Sequence, residues 1–212
     1  MASGTLAAFE PRKTPVQARA TVTVQAISEA TIQVLLRHGA ESLTTTRVAH
    51  RAGVSVGTLY QYFPNKQSLL FSVLERHLEK VTEEVEDACR RARYKPLTEM
   101  IKEVVEAFVD AKTVRADISA ALYKFAPDVG GIALVKREAQ RMRKGIFRLL
   151  ESAPECKASP DEFAIQIMLA AMSGAMRLVL EGGDSTTAMR KLREQLVLLC
   201  QAYMAATTNQ HA

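Results

Sequence analysis

Residues 44–66 read TTTRVAHRAGVSVGTLYQYFPNK, and their spacing of small, apolar and turn-forming residues predicts a helix-turn-helix. Thr44 or Thr45 can cap a short first helix, since a threonine hydroxyl accepts a hydrogen bond from a free amide at a helix N-terminus. Gly53 allows the tight turn that follows. A second short helix is expected over residues 56–62. Two short helices joined in this way are typical of a DNA-binding motif.

The outward face expected for residues 56–62 is rich in hydroxyl and amide groups and contains no acid. Gln61 can pair with an adenine edge, and Val56 can contact a thymine methyl group. Gly57 lets the backbone approach a phosphate, and Lys66 adds positive charge at the start of the next helix, where free amides also favour anions. The predicted DNA-binding residues are Thr44, Thr45, Thr46, Arg47, Val56, Gly57, Thr58, Tyr60, Gln61, Tyr62 and Lys66.

Three aromatic residues at the end of this stretch, Tyr60, Tyr62 and Phe63, allow two interpretations. They can close the core of a small domain, or they can face DNA. We assign Phe63 to the core and the hydroxyl groups of Tyr60 and Tyr62 to phosphate contacts.

The rest of the chain has the apolar spacing of helices, and no hairpin turn lies between alternating apolar runs. Ser159-Pro160-Asp161-Glu162 reads as a capping box with proline at the first helical position. The fold class is therefore all-α, with about nine helices that form an N-terminal three-helix head and a C-terminal helical body. The helices are expected near residues 16–38, 44–52, 56–62, 65–93, 96–112, 114–125, 132–152, 160–182 and 186–206.

The domain organisation follows from this pattern. Residues 1–17 contain a glycine and two prolines and are expected to be a flexible leader. Residues 18–64 form the expected DNA-binding domain, and residues 65–212 form the expected ligand-binding and dimerisation domain. Up to Lys66 the chain holds seven Lys and Arg against three Asp and Glu, so this part carries +4 of the net charge of +5. A basic head on a nearly neutral body favours attraction to a phosphate backbone.

The run Ala52-Gly53-Val54-Ser55-x-Gly57-Thr58-Leu59-Tyr60-x-Tyr62-Phe63-x-x-Lys66-x-x-Leu69 resembles the DNA-binding signature of the tetracycline-repressor (TetR) family of bacterial regulators. The resemblance covers roughly residues 20–70, and the helix count after it is also similar to that of the family. It implies a homodimer that binds a palindromic operator on double-stranded DNA and leaves it when a small-molecule effector binds.

The resemblance also implies a division of roles within the motif. Thr44 or Thr45, Gly57, Thr58, Tyr60 and Lys66 match family positions that contact the DNA backbone. The base-reading positions are variable in the family. In this chain they are Thr46, Arg47, Val56, Gln61 and Tyr62. Thr46 departs from the basic residue that relatives often carry there, and Arg47 is the substitute that we expect.

The last two helices of the body have the composition of a helix–helix interface. Residues 160–182 contain many small residues beside methionines and other large apolar residues, and leucines form one face of residues 186–206. A four-helix interface between two subunits, with two helices from each, is expected, although an internal core remains an alternative. The interface residues predicted are Ile167, Ala171, Gly174, Ala175, Leu178, Leu192, Leu196, Leu199 and Tyr203.

The other helices of the body can enclose a pocket for the effector, with packed core as the alternative role of the same residues. The candidate lining residues are Met100, Phe108, Tyr123, Phe125, Met142 and Phe147.

Several classes of protein are disfavoured. The sequence contains no phosphate-binding loop, dinucleotide-binding loop, HExxH zinc motif or Glu-x-x-His pair, so we expect no enzyme, cofactor or metal site. It also shows no signal-peptide pattern and no unbroken membrane-spanning run, and a cytoplasmic protein is expected. Two alternatives remain. One is a regulator with the same head that senses redox state or a metal through Cys89 or Cys156, and the more remote one is a helical enzyme.

Overall fold

The computed structural model describes residues 18–155, 159–183 and 186–209. The expected leader, residues 1–17, and Cys156 lie outside the described residues. Within them every regular element is helical, which confirms the all-α fold class. The helices are α1 (Ala18–His38), α2 (Thr45–Ala52), α3 (Val56–Tyr62), α4 (Lys66–Arg91), α5 (Leu97–Thr113), α6 (Ala116–Phe125), a short 3₁₀ helix (Ala126–Val129), α7 (Gly131–Leu150), α8 (Glu162–Glu181) and α9 (Thr186–Asn209).

The start of α8 corrects one expectation. The helix begins at Glu162, and Ser159 and Pro160 precede it outside the helix. Asp161 is the cap, because its carboxylate accepts a hydrogen bond of 2.8 Å from the backbone N–H of Phe163. Asp161 lies two residues after Ser159, and its carboxylate also interacts favourably with the positive end of the helix dipole. The capping box based on Ser159 therefore does not form.

The described chain packs as two compact units. The first unit comprises the residues up to Leu78 together with Asp117–Val135, and the second comprises Glu79–Ala116 together with the described residues from Lys136 onward. These units describe packing, and the functional boundary expected at residues 64–65 stays a prediction.

The first unit is built around apolar residues of α1, α2, α3 and the first half of α4. Ile27 and Phe71 are fully buried in this core, and Phe125 of α6 belongs to the same cluster. Gly131 shows how closely the chain packs here, since a Cβ atom at this position would lie 2.5 Å from the carbonyl oxygen of Ala126 and 2.5 Å from Leu74 Cδ2. Only glycine fits there without a shift of the neighbouring atoms.

The second unit contains α5, α8 and α9, and α9 packs against both other helices. Arg193 of α9 pairs with Asp110 of α5, and Gln201 donates to the carbonyl of Thr98 over 2.8 Å. The apolar side chains between these helices include Ile101 of α5, which is fully buried.

Helix α8 is long and apolar enough to cross a membrane, with a mean hydropathy of 1.7 over its most apolar stretch. The measure is weak evidence, because a core helix of a globular protein has the same length and composition. Part of α8 is buried in the unit, as Met168 and Met172 show.

Candidate nucleic-acid interface

The first helix of the motif, α2, begins as its sequence predicts. Thr44 has extended backbone geometry, and its Oγ1 accepts a hydrogen bond of 3.2 Å from the backbone N–H of Arg47. The helix ends at Gly53, whose φ of 68° lies in the left-handed region that favours glycine. The amide of Val54 then donates to the carbonyl of Ala49 over 3.0 Å, which completes the turn.

The second helix, α3, presents an exposed face. Ser55 caps it, since its Oγ accepts a 2.9 Å hydrogen bond from the backbone N–H of Thr58, and the two hydroxyl groups lie 2.8 Å apart. Leu59 is fully buried, whereas Val56, Gly57 and Gln61 are exposed. The helix is anchored by one leucine and leaves polar and small residues free for a partner.

A hydrogen bond joins the two helices of the motif. Thr45 Oγ1 and the Tyr60 hydroxyl lie 3.1 Å apart. Tyr60 is exposed and Tyr62 is half-buried against the core of the first unit, while Phe63 is buried as predicted. The pair brings two hydroxyl groups from different helices to one place, where each retains capacity for a further hydrogen bond.

Lys66 stands at the N-terminus of α4. Asn65 and Ser68 cap this helix reciprocally, because Asn65 Oδ1 accepts from the Ser68 amide at 2.8 Å and Ser68 Oγ accepts from the Asn65 amide at 3.3 Å. The Lys66 ammonium donates to the carbonyl of Glu41 over 3.1 Å. This contact holds the charge beside the loop that precedes α2.

A basic groove lies between α1 and α2, and we call it the α1–α2 groove. It has a volume of about 470 Å³, and no acidic side chain lines it. Arg47 Nη1 donates to the carbonyl of Ser42 over 2.6 Å, and Arg51 Nε donates to Gln33 Oε1 over 2.5 Å. The lining residues are Gln33, Val34, Arg37, His38, Thr46, Arg47, His50 and Arg51.

This groove contains residues that sequence reasoning missed. Arg47, expected to read bases, points here together with Thr46 and is held by a backbone carbonyl. His50 and Arg51 follow Arg47 at helical spacings of three and four, which places all three on one face of α2. That spacing was the available signal, but the contribution of Arg37 from α1 depends on how the two helices pack.

The residues predicted for a dimer interface are mostly accessible on the single chain. Leu178 is 74% exposed and Leu199 is 52% exposed, although both are large and apolar. Gly174 is exposed, with open space around the position of a Cβ atom. Ile167 is also exposed, and the half-buried members are Ala171, Ala175, Leu192 and Tyr203. Leu196 differs from the expectation, because its side chain is buried within the unit.

The predicted pocket residues do not all belong to one unit. Met100, Phe108, Met142 and Phe147 lie in the second unit, while Tyr123 and Phe125 lie in the first. Met100 and Phe108 are fully buried, and Met142 is nearly so. Phe147 is half-buried and lines a small surface cavity of about 90 Å³.

The described cysteines are poor candidates for redox chemistry. Burial, together with the charge of Glu86, raises the pKa of the Cys89 thiol to about 12. Burial raises the pKa of the Cys200 thiol to about 11. Both remain protonated near neutral pH, and a protonated thiol is a weak nucleophile. Across the part of the chain that the structure describes, no group of three or more His, Cys, Asp or Glu residues could hold a metal ion.

Two family models match the chain. The model described as "Bacterial regulatory proteins, tetR family" matches residues 27–73, which include the helix-turn-helix. The model described as "Tetracyclin repressor-like, C-terminal domain" matches residues 96–204, a little over half of the chain.

Curated relatives are similar over the head. The HTH-type transcriptional repressor KstR of Mycolicibacterium smegmatis is 46% identical over 55 residues, which are 26% of this chain and 27% of the relative. The fatty acid metabolism regulator protein of Bacillus subtilis is 31% identical over 61 residues, which are 29% of this chain and 31% of the relative. The similarity thus spans about a quarter to a third of the length of these relatives.

Solved structures share the fold over most of the chain. A tetR-family transcriptional regulator from Streptomyces coelicolor has a TM-score of 0.68 and 22% identity, with 89% of this chain and 82% of that chain covered. The fatty acid degradation regulator FadR from Bacillus halodurans has a TM-score of 0.65 and 18% identity, with 88% and 97% covered. At these identities the likeness shows the fold alone.

Proposed function

Because the chain belongs to the TetR family of bacterial regulatory proteins, we propose that it is a transcriptional repressor whose helix-turn-helix binds double-stranded DNA. The observation that carries the proposal is the exposed, acid-free face of α3, anchored by the buried Leu59 and joined to α2 by the pair of hydroxyl groups. A helix of this kind fits the major groove. The name of the KstR relative supports repression.

We assign the sequence-specific contacts to α3. Gln61 and Val56 are exposed and can reach base edges, while Tyr62, half-buried, contributes only its outer part. Thr46 and Arg47 remain proposed base contacts, and the position of Arg47 in the α1–α2 groove means that its side chain must leave Ser42 to reach a base.

We assign the phosphate contacts to the hydroxyl groups and cations around the motif. The proposed groups are Thr44, Thr45, Gly57, Thr58, Tyr60 and Lys66. Thr44 and Thr58 take part in the capping interactions at the N-termini of α2 and α3. A phosphate bound to either residue would therefore lie beside a helix N-terminus, which favours anions. The cations of the α1–α2 groove add long-range attraction.

We propose that two chains associate through α8 and α9 and that the operator is palindromic. Leu178, Ile167 and Leu199 are large apolar residues exposed on the single chain, and burial of such residues favours association. Ala171, Gly174 and Ala175 let helices approach closely. Leu192 and Tyr203 stay in the proposed interface, and Leu196 supports it from within the unit.

We propose that a small-molecule effector releases the DNA, and that the protein is cytoplasmic and not an enzyme. The effector site would include Met100, Phe108, Met142 and Phe147 of the second unit. Tyr123 and Phe125 belong to the first unit, and we propose that they also contact the effector. The redox alternative through Cys89 is disfavoured by the raised pKa of its thiol.

Exchange of Gln61 tests the assignment of specificity to α3. The preferred DNA is first selected from a random pool, and binding of wild type and Gln61→Ala is then measured by fluorescence anisotropy on duplexes altered at each base pair. We expect Gln61→Ala to lose discrimination at one position of each half-site, by about tenfold per position, because one bidentate contact contributes roughly 1–3 kcal/mol.

Gln67→Ala is the matched control, since Gln67 is an exposed glutamine in the first turn of α4 and outside the proposed contacts. It should leave the preference unchanged. If Gln61→Ala keeps the full preference of wild type at every position, α3 does not read the sequence through this residue.

A further inference from the structure

A second basic groove lies within the second unit, between the C-terminal part of α4 and helix α7, and we call it the α4–α7 groove. Its volume is about 470 Å³, which is in the range of small-molecule sites. Five cationic side chains and one acid line it. The lining residues are Glu86, Cys89, Arg90, Arg93, Arg141, Lys144, Gly145, Arg148 and Leu149.

Two of these cations are neutralised within the protein. Arg141 Nη2 donates to Glu86 Oε2 over 2.9 Å, and its Nη1 donates to Glu138 Oε2 over 3.0 Å. Arg90 pairs with Asp87. Of these pairs, only Arg141–Glu86 joins α7 to α4, while Arg90 and Asp87 both lie on α4.

Three cations have no acidic partner among the described residues. Arg93 lies over the ring of Tyr94 at 5.3 Å, and no ion pair or hydrogen bond to a described residue involves the side chains of Lys144 and Arg148. Lys144 and Arg148 are four residues apart on α7, a spacing at which like charges repel on a helix. Both side chains are exposed, and an anion bound between them would relieve this repulsion.

The floor of the groove leaves space for a ligand. A Cβ atom at Gly145 would lie 3.7 Å from Glu86 Cγ and 3.9 Å from Cys89 Sγ, so alanine would fit and a longer side chain would fill the space between the helices. Glycine inside a helix is less favourable than alanine, so its presence here does not serve the stability of the helix. The buried Cys89 thiol stays protonated and adds no negative charge to the floor.

We infer that the α4–α7 groove binds a small molecule that carries at least two linked phosphate groups. Arginine side chains can form paired hydrogen bonds with phosphate oxygens. Arg93, which follows the end of α4, and Arg148 of α7 both line the groove. The three cations without acidic partners favour a ligand with several negative charges over one with a single charge. The lining of the groove contains none of Met100, Phe108, Met142 and Phe147, although Lys144 and Arg148 also line the small cavity beside Phe147. The binding does not depend on the proposed DNA-binding function.

Inorganic pyrophosphate is the probe that tests this inference, with the full chain and no DNA present. Isothermal titration is carried out on wild type, on Lys144→Gln/Arg148→Gln, and on the control Lys80→Gln/Lys136→Gln. The control removes two exposed lysines from the same two helices outside the groove. We expect one pyrophosphate per chain in wild type and in the control, and at least a tenfold loss of affinity in the groove variant.

Arg93→Gln provides a second test outside α7, and circular dichroism shows whether each variant keeps its helices. It should also weaken binding about tenfold. Inorganic phosphate and citrate, which has a similar charge but carries carboxylates, should each bind at least tenfold more weakly than pyrophosphate. Equal losses in the groove and control variants, citrate binding as tightly as pyrophosphate, or no binding of pyrophosphate by wild type would each overturn the inference.

Discussion

Replacement of Lys66 by methionine removes one charge from the proposed DNA interface while keeping a side chain of similar length. In the DNA-free protein this ammonium donates to the carbonyl of Glu41 over 3.1 Å at the start of α4. Because this contact is exposed, its loss should lower the free energy of unfolding by no more than about 1.5 kcal/mol. The main effect should therefore be on DNA binding.

The magnitude follows from the release of counterions. Each phosphate contact contributes about 0.9 to the slope of log affinity against log salt concentration, so two Lys66 side chains in a dimer contribute about 1.8. Between 50 and 200 mM salt, wild type should lose about 12-fold more affinity than Lys66→Met if the dimer makes both contacts, and about 3.5-fold more if only one chain binds.

The assay is fluorescence anisotropy of one labelled duplex at four or more salt concentrations, with Lys80→Met as control. Lys80 is an exposed lysine of the same helix, 14 residues beyond Lys66 and so about 21 Å along its axis. That variant should keep the wild-type slope. A slope of Lys66→Met equal to that of wild type, or an equal fall in both variants, would refute the phosphate contact.

Three further changes test the interface, the packing and the electrostatics of the chain. Leu178→Glu should abolish dimers in sedimentation velocity. The control Val114→Glu changes an apolar residue that is 70% exposed outside α8 and α9, and it should leave the dimers intact. Dimers in both variants would refute the α8–α9 interface. Gly131→Ala should lower the free energy of unfolding in urea by about 1–3 kcal/mol, because its Cβ atom would lie 2.5 Å from the Ala126 oxygen; an unchanged value would contradict the close packing. Burial lowers the pKa of Lys112 to about 8. The unfolded chain then binds this proton more tightly, so the stability of wild type relative to Lys112→Met should rise between pH 8 and 10.5, by up to about 3 kcal/mol; a constant difference would exclude the shift.

The helix-turn-helix was predictable from sequence because local interactions determine it. Thr44 caps α2 by accepting a hydrogen bond from the backbone N–H of Arg47, three residues away. Gly53 ends the same helix with a left-handed backbone conformation. Helix α3 begins and ends at the predicted residues 56 and 62. The sequence alone therefore predicts the all-α fold and the family.

Features that depend on packing between distant segments were not predictable in the same way. Arg47 lies in the α1–α2 groove because α1 supplies the other wall, and the sequence pattern shows only its place on α2. Leu196 shares the spacing of Leu199, yet one is buried and the other exposed. Periodicity shows that a helix has an apolar face, but not which part of that face is covered by its own chain.

The α4–α7 groove has the same origin. Arg93 and Lys144 are separated by 51 positions, and their shared surface exists only when α4 and α7 are packed side by side. Net charge gave no signal for it, since the chain after Lys66 is nearly neutral overall. Cations collected on one surface are balanced by acids elsewhere in the body.

The most direct test of the central claim is the stoichiometry and symmetry of the DNA complex. Wild-type protein is used to select duplexes from a random pool, and native mass spectrometry then counts the chains on the selected DNA. We predict a palindromic sequence with half-site centres about 34 Å apart, or a multiple of that, bound by an even number of chains. An asymmetric sequence bound by a single chain would contradict the account.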